Sequence, residues 1–180
     1  SYLQADGAVK KISSYITKKV ADKMAALMNE NREDYEKKWN YIKIVIEYGM
    51  ISEEKFYDKS DKFALYPNVD GKYFLWNELE EKIKANQTDK DGNLVILYAS
   101  NEHDQHSYIQ AAQDKGYEVL LLDSPIVPHL IQKLEASKEK IQFARVDADH
   151  INNLIKKDEP AISKLNDTEK ETLKKSVEEG

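Results

Sequence analysis

Three groups of residues have the types and spacing to do chemistry. Asp123 closes an apolar run, Val119–Leu122, and Asp147-Ala148-Asp149-His150 follows an expected strand, Ile141–Val146. Open α/β sheets place ligands at the carboxyl ends of their strands, and paired carboxylates can hold magnesium. Asp123 with Asp147 or Asp149 therefore describes a small magnesium-dependent enzyme or phosphoacceptor, set against the plainer reading of helix caps and turn residues. His103 and His106 are three apart on an expected helix, a spacing that puts two imidazoles on one face, but no third ligand stands near them in the sequence. Asp89-Lys90-Asp91-Gly92 has the look of a calcium loop, yet its glycine comes too early and the closing glutamate is missing, so it reads as a turn.

The exclusions are firmer. The six glycines, at 7, 49, 71, 92, 116 and 180, are too dispersed for any phosphate-cradling loop of the GxGxxG or GxxxxGK kind, so this chain is not expected to hold ATP by itself. No cysteine is present, which removes disulfides, thiolate nucleophiles and cysteine metal sites. The net charge of −6 arises from 27 basic and 33 acidic side chains interspersed along the chain, with no basic field to attract nucleic acid. Its apolar runs are far shorter than the roughly 20 residues a membrane-crossing helix needs, and no signal peptide opens the chain. A cytoplasmic protein with neither nucleic-acid nor membrane partners and no bound metal is expected.

The elements that would position these residues follow from periodicity. Val9, Ile12, Ile16, Val20, Met24 and Leu27 recur at spacings of three and four, the apolar stripe of a long helix. Asn31 can cap a second helix carrying Tyr35, Trp39, Ile42 and Ile46, with Gly49 expected to end it and Ser52 to cap a third holding Phe56, Tyr57 and Phe63. Asn68-Val69-Asp70-Gly71 signals a turn, Lys72–Phe74 a short strand and 77–85 a helix. Beyond the polar stretch 86–93, Leu94–Ala99, 118–123 and Ile141–Val146 read as strands alternating with helices near 102–115 and 126–137. That is βαβαβ, which demands a parallel sheet with right-handed crossovers. The expected fold is mixed α/β, a three-helix region followed by a small αβα unit with a short parallel sheet. Its boundaries are placed at 1–66 for the helical part, 67–93 for the connection, 94–155 for the α/β unit, and 156–180 for a linker into the start of a further domain.

Exposed aromatics mark interfaces. Trp39 falls on a helix stripe and is expected in the core. Trp76, at a helix start beside Phe74 and Leu75, is the candidate for exposure and for contact with another protein.

A resemblance adds to this reading. Ser1-Tyr2-Leu3-Gln4 with Lys10-Lys11-Ile12 and Ile16-Thr17-Lys18-Lys19, then Tyr48-Gly49-Met50-Ile51-Ser52-Glu53-Glu54-Lys55-Phe56-Tyr57, are similar to the middle domain of the ninety-kilodalton heat-shock chaperone family in its bacterial form, HtpG. Asp70-Gly71-Lys72-Tyr73-Phe74, Asn86-Gln87-Thr88-Asp89-Lys90, Leu97-Tyr98-Ala99 and Gly116-Tyr117-Glu118-Val119-Leu120 continue the match in order, over about residues 1–155. The resemblance implies a module of an ATP-dependent, stress-response chaperone that couples ATP hydrolysis in a preceding N-terminal domain to remodelling of unfolded client proteins. It implies a catalytic-loop arginine immediately before Ser1, outside this chain, so that no catalytic residue is expected within it and the chain alone is not an enzyme. Gln4 matches the family's nucleotide-facing glutamine. ATP and magnesium then belong to the full-length parent, not to this chain. The parent would be a homodimer joined through a C-terminal domain, and the chain alone a monomer. A helical adaptor that binds partners without any ATPase domain is a third reading.

Overall fold

The computed structural model describes residues 2–148 and 155, with side chains from residue 6 onward. It is mixed α/β, as expected. Helices α1 (Tyr2–Glu30), α2 (Arg32–Ser52) and α3 (Glu54–Lys59) are followed by a single 3-10 turn at Ser60–Lys62. A two-stranded antiparallel ribbon, β1 (Tyr66–Pro67) with β2 (Tyr73–Phe74), leads into α4 (Trp76–Ile83). Then come β3 (Leu94–Ala99), α5 (His106–Asp114), β4 (Val119–Leu121), α6 (Val127–Ser137) and β5 (Ile141–Arg145).

The three late strands form a parallel sheet in the order β4-β3-β5. From β3 the chain steps to β4 on one side and then returns across β3 to β5. Right-handed crossovers in opposite directions put their helices on opposite faces, and the burial pattern agrees. Leu94 and Ile96 of β3 join a core with Leu130, Ile131 and Leu134 of α6, whereas Val95, Leu97 and Ala99 join a second core with Ile109 and Ala112 of α5. The central strand, buried on both faces, is apolar throughout, while Tyr98 alone is half-buried.

The α6 face of the sheet is covered further by the helical part. Trp39, Ile46 and Met50 of α2, Phe56 and Phe63 belong to the same core as Leu120, Leu122 and Leu134. Arg32, at the start of α2, donates to both oxygens of Glu78 at 2.6 and 2.8 Å, to Glu36 at 2.8 Å and to the Tyr73 carbonyl at 3.1 Å. One guanidinium thereby fixes α2 to α4 and β2. Glu78 also accepts the Leu75 N–H at 2.8 Å, which closes the first turn of α4.

Several local expectations change. Asn31 does cap α2, accepting the Asp34 N–H at 3.1 Å. Gly49, however, does not end that helix, which runs on to Ser52. A Cβ at Gly49 would sit 2.8 Å from the Phe56 ring, so glycine is there to let α3 approach. Ser52 caps nothing: its hydroxyl donates back to the Tyr48 carbonyl at 2.7 Å inside α2. The glycines at 71, 92 and 116 take positive φ, and Gly116 ends α5 as the sequence suggested. The stripe on α1 divides: Val20, Met24 and Leu27 pack on the core, but Val9, Ile12 and Ile16 are exposed. A helix of 29 residues is about 43 Å long, and α2, α3 and the 3-10 turn reach only its C-terminal half.

Candidate functional site

The strand-end carboxylates do not converge. Asp123 follows β4 and Asp147 follows β5, the two outer strands, with β3 between them. Each has its own cation. Lys43 of α2 donates to Asp123 at 2.5 Å, and Arg145 donates to Asp147 at 2.5 Å. Burial raises the Asp147 carboxyl, but hydrogen bonds from Arg145 and Gln105 more than offset that and hold it below the usual range. The magnesium-dependent alternative built on Asp123 and Asp147 therefore has no geometric support. Asp149 and His150 lie outside the described residues. His103 precedes α5 and His106 opens it. Among the described residues, no three His, Asp or Glu side chains come close enough together to hold a metal ion.

Asp89-Lys90-Asp91-Gly92 is a turn. Asp89 accepts the backbone N–H groups of Asp91 at 2.9 Å and Asn93 at 2.8 Å, the closure that a short acidic side chain gives without a cation.

Trp76 is buried, contrary to the expectation that it would be exposed. Only 3% of it is exposed. Its ring stands edge-on to Tyr66 at 5.3 Å, the Lys138 ammonium lies 4.7 Å above it, and its indole N–H donates to Glu80. Sequence position at a helix start could not reveal that a lysine 62 residues on, just after α6, covers the ring. Trp39 is buried as expected.

The exposed apolar side chains are elsewhere. Val9, Ile12, Tyr15 and Ile16 make one stripe on the N-terminal half of α1; Tyr41, Ile44, Val45 and Tyr48 make another on α2. The second set recurs at i, i+3, i+4 and i+7 and so lies on a single face, opposite to that which buries Trp39 and Ile46. The signal was legible in the sequence, since α2 has apolar residues on two sides and one layer of core covers only one. Gln4 falls in the first turns of α1, and its side chain lies outside the described residues.

One polar group is buried at the seam between the helical part and the α/β unit. Glu47 of α2 is 6% exposed, one helical turn from Lys43. Burial pushes its carboxyl up to about 7, with Asp123 adding to the rise and Lys43 and Ser124 opposing it. It lines a cavity of about 20 Å³ with Trp39, Lys43, Tyr66, Asp123 and Ser124. The Tyr66 hydroxyl is wholly buried without a hydrogen-bond partner, and its pKa is raised, first by burial.

Among the described residues the candidate carboxylates and histidines do not converge, and two helix faces carry exposed apolar side chains. No family model matches the chain. The Chaperone protein HtpG of Porphyromonas gingivalis is 49% identical over 178 residues, 99% of this chain and 26% of the relative. That of Bacteroides fragilis is 48% identical over 173 residues, 96% of this chain and 25% of the relative. The Mycolicibacterium paratuberculosis HtpG is 29% identical over 130 residues. The chain thus spans about a quarter of the length of the curated relatives it matches. Among solved structures, the middle domain of a Plasmodium falciparum heat shock protein superposes with a TM-score of 0.58 over 78% of this chain and 57% of that one. At 15% identity it speaks for the fold alone.

Proposed function

From the premise that the chain belongs to the bacterial HtpG chaperones of the ninety-kilodalton heat-shock family, as a segment of their middle domain, we propose that it couples an ATPase domain to the remodelling of client proteins. The observation that carries this reading is 49% identity to an HtpG over 99% of this chain, in a sequence whose glycines are too dispersed for a phosphate-cradling loop. The nucleotide and its magnesium would be held by an N-terminal domain, with Gln4 facing them from the start of α1. A cation supplied beside the γ-phosphate would stabilise charge in phosphoryl transfer; the resemblance puts that arginine before Ser1. The chain alone is then a monomer without ATPase activity, acting in the cytoplasm. Dimerisation would belong to a C-terminal domain of the parent. Unfolded clients would meet apolar side chains on a charged, soluble body. Exposed apolar faces suit that task because they recognise general exposure of apolar segments and no defined motif.

The test is a thermal-shift titration of the chain with magnesium and ATP. A ligand at 100 times its dissociation constant stabilises a folded protein by about 2.7 kcal/mol. No shift into the millimolar range is the expected result. A saturable shift would mean that this chain holds nucleotide by itself, which overturns the assignment of ATP to another domain.

A further inference from the structure

Glu47 is a carboxyl where the fold has little use for one. It stands on α2 beside the Trp39–Ile46–Met50 stripe, and that stripe packs on the sheet unit. Burying a carboxylate is expensive unless it is paired, and its natural partner, Lys43, is already engaged with Asp123 across the seam at 2.5 Å. We propose that Glu47 is a proton-sensitive latch on the seam between the helical part and the α/β unit, closed when its carboxyl is neutral and loosened when it ionises.

The groups that face it can be named element by element. On α2 it has Lys43, one turn earlier, and the apolar Trp39 and Met50. From the end of β4 it has Asp123, whose charge opposes ionisation, and then the Ser124 hydroxyl, which favours it. From β1 it has Tyr66, and from α6 the uncharged Leu130. Asp123 and Glu47 thus compete for one ammonium. While Glu47 is neutral, Lys43 belongs to Asp123 and the seam is tied. Once Glu47 carries charge, one lysine faces two carboxylates, of which Asp123 is open to solvent and Glu47 is not, and the unsolvated charge is relieved by letting solvent into the cavity. Opening exposes the contact of α2 with β4 and α6. Burial sets the carboxyl at about 7, so the change falls within the physiological range. The latch is independent of the chaperone reading and stands or falls separately.

The experiment is a carbon-13 NMR titration of the glutamate side-chain carboxyls of the whole chain between pH 5 and 9. The Trp39 indole signal and the amide exchange of Leu130 and Ile131 are followed in parallel and corrected for intrinsic exchange. One carboxyl titrating near neutrality is expected, with the Trp39 signal moving at the same midpoint and the amides exchanging about tenfold faster above it. Asp123→Asn frees Lys43 for Glu47 and should lower the midpoint by about one pH unit. Glu47→Gln, similar in shape but unable to ionise, should abolish both responses. A Glu47 carboxyl that titrates with the exposed glutamates overturns the proposal in the wild-type chain, whatever the variants do. So does a titration near neutrality to which Trp39 and the α6 amides are blind.

Discussion

Gly49 and Phe56 are in contact so close that a methyl group on the glycine would lie 2.8 Å from the ring. Gly49→Ala gains helix propensity of roughly 1 kcal/mol but must push α3 away from α2. Overpacking of this kind costs about 1–3 kcal/mol, so a net loss is expected, read by urea unfolding. An alanine variant as stable as the wild type would show that α3 moves freely, and the glycine inside α2 would then have no packing role.

Phe63 has no exposed surface and meets the Phe56 ring edge-on at 5.2 Å. Its truncation to alanine should cost about 3–5 kcal/mol, combining lost burial with the cavity left behind. The comparison Tyr35→Phe removes only a hydroxyl that donates to the Phe63 carbonyl at 2.7 Å. About 1 kcal/mol is expected there, since a buried carbonyl loses its partner. Equal losses in the two variants would contradict the packing described.

Stability should also depend on pH in a direction unusual for a carboxyl. Glu47 ionises near 4.5 when unfolded and at about 7 when folded, so between those values the folded state holds the extra proton. The contribution is complete below about pH 4.5 and is lost as pH rises towards 7, where it has fallen by roughly 3 kcal/mol. Glu78 has the opposite sign. Its carboxyl is lowered, chiefly by Arg32, so its stabilisation is present above the ordinary carboxyl range and disappears in acid. Glu47→Gln should therefore flatten the neutral part of a stability curve and leave the acid limb in place. A wild-type curve that rises from pH 5 to 7.5, with no change in Glu47→Gln, would contradict this.

The parallel sheet was legible because β3 is apolar at every position and its neighbours alternate with helices, so local pattern and tertiary demand agree. What misled were places where distant chain decides a local question. Gly49 has the signature of a helix end, and only the approach of Phe56 explains why a glycine stands inside the helix. Trp76 is covered by Lys138, and the outer half of the α1 stripe is apolar without being buried. The Lys43–Asp123–Glu47 cluster joins residues up to 80 apart. Its one sequence signal was a lysine and a glutamate a turn apart beside an apolar stripe.

Gly116 has φ +79°, a conformation that costs any residue with a Cβ, and its carbonyl accepts from Asn86 at 2.7 Å. Gly116→Ala should destabilise by about 1 kcal/mol through backbone strain. Gly7, with nothing within 4 Å of a Cβ there, is the control and should tolerate alanine.

The central claim, that this chain is a working middle-domain segment of an HtpG chaperone, is tested most directly by transplantation. The chain replaces the matching 178-residue segment of Porphyromonas gingivalis HtpG, and ATP-dependent suppression of aggregation of a denatured protein is measured by light scattering. The account predicts suppression that requires ATP and that weakens when Gln4 is changed to alanine. A folded chimera that hydrolyses no ATP and leaves aggregation unchanged would contradict it.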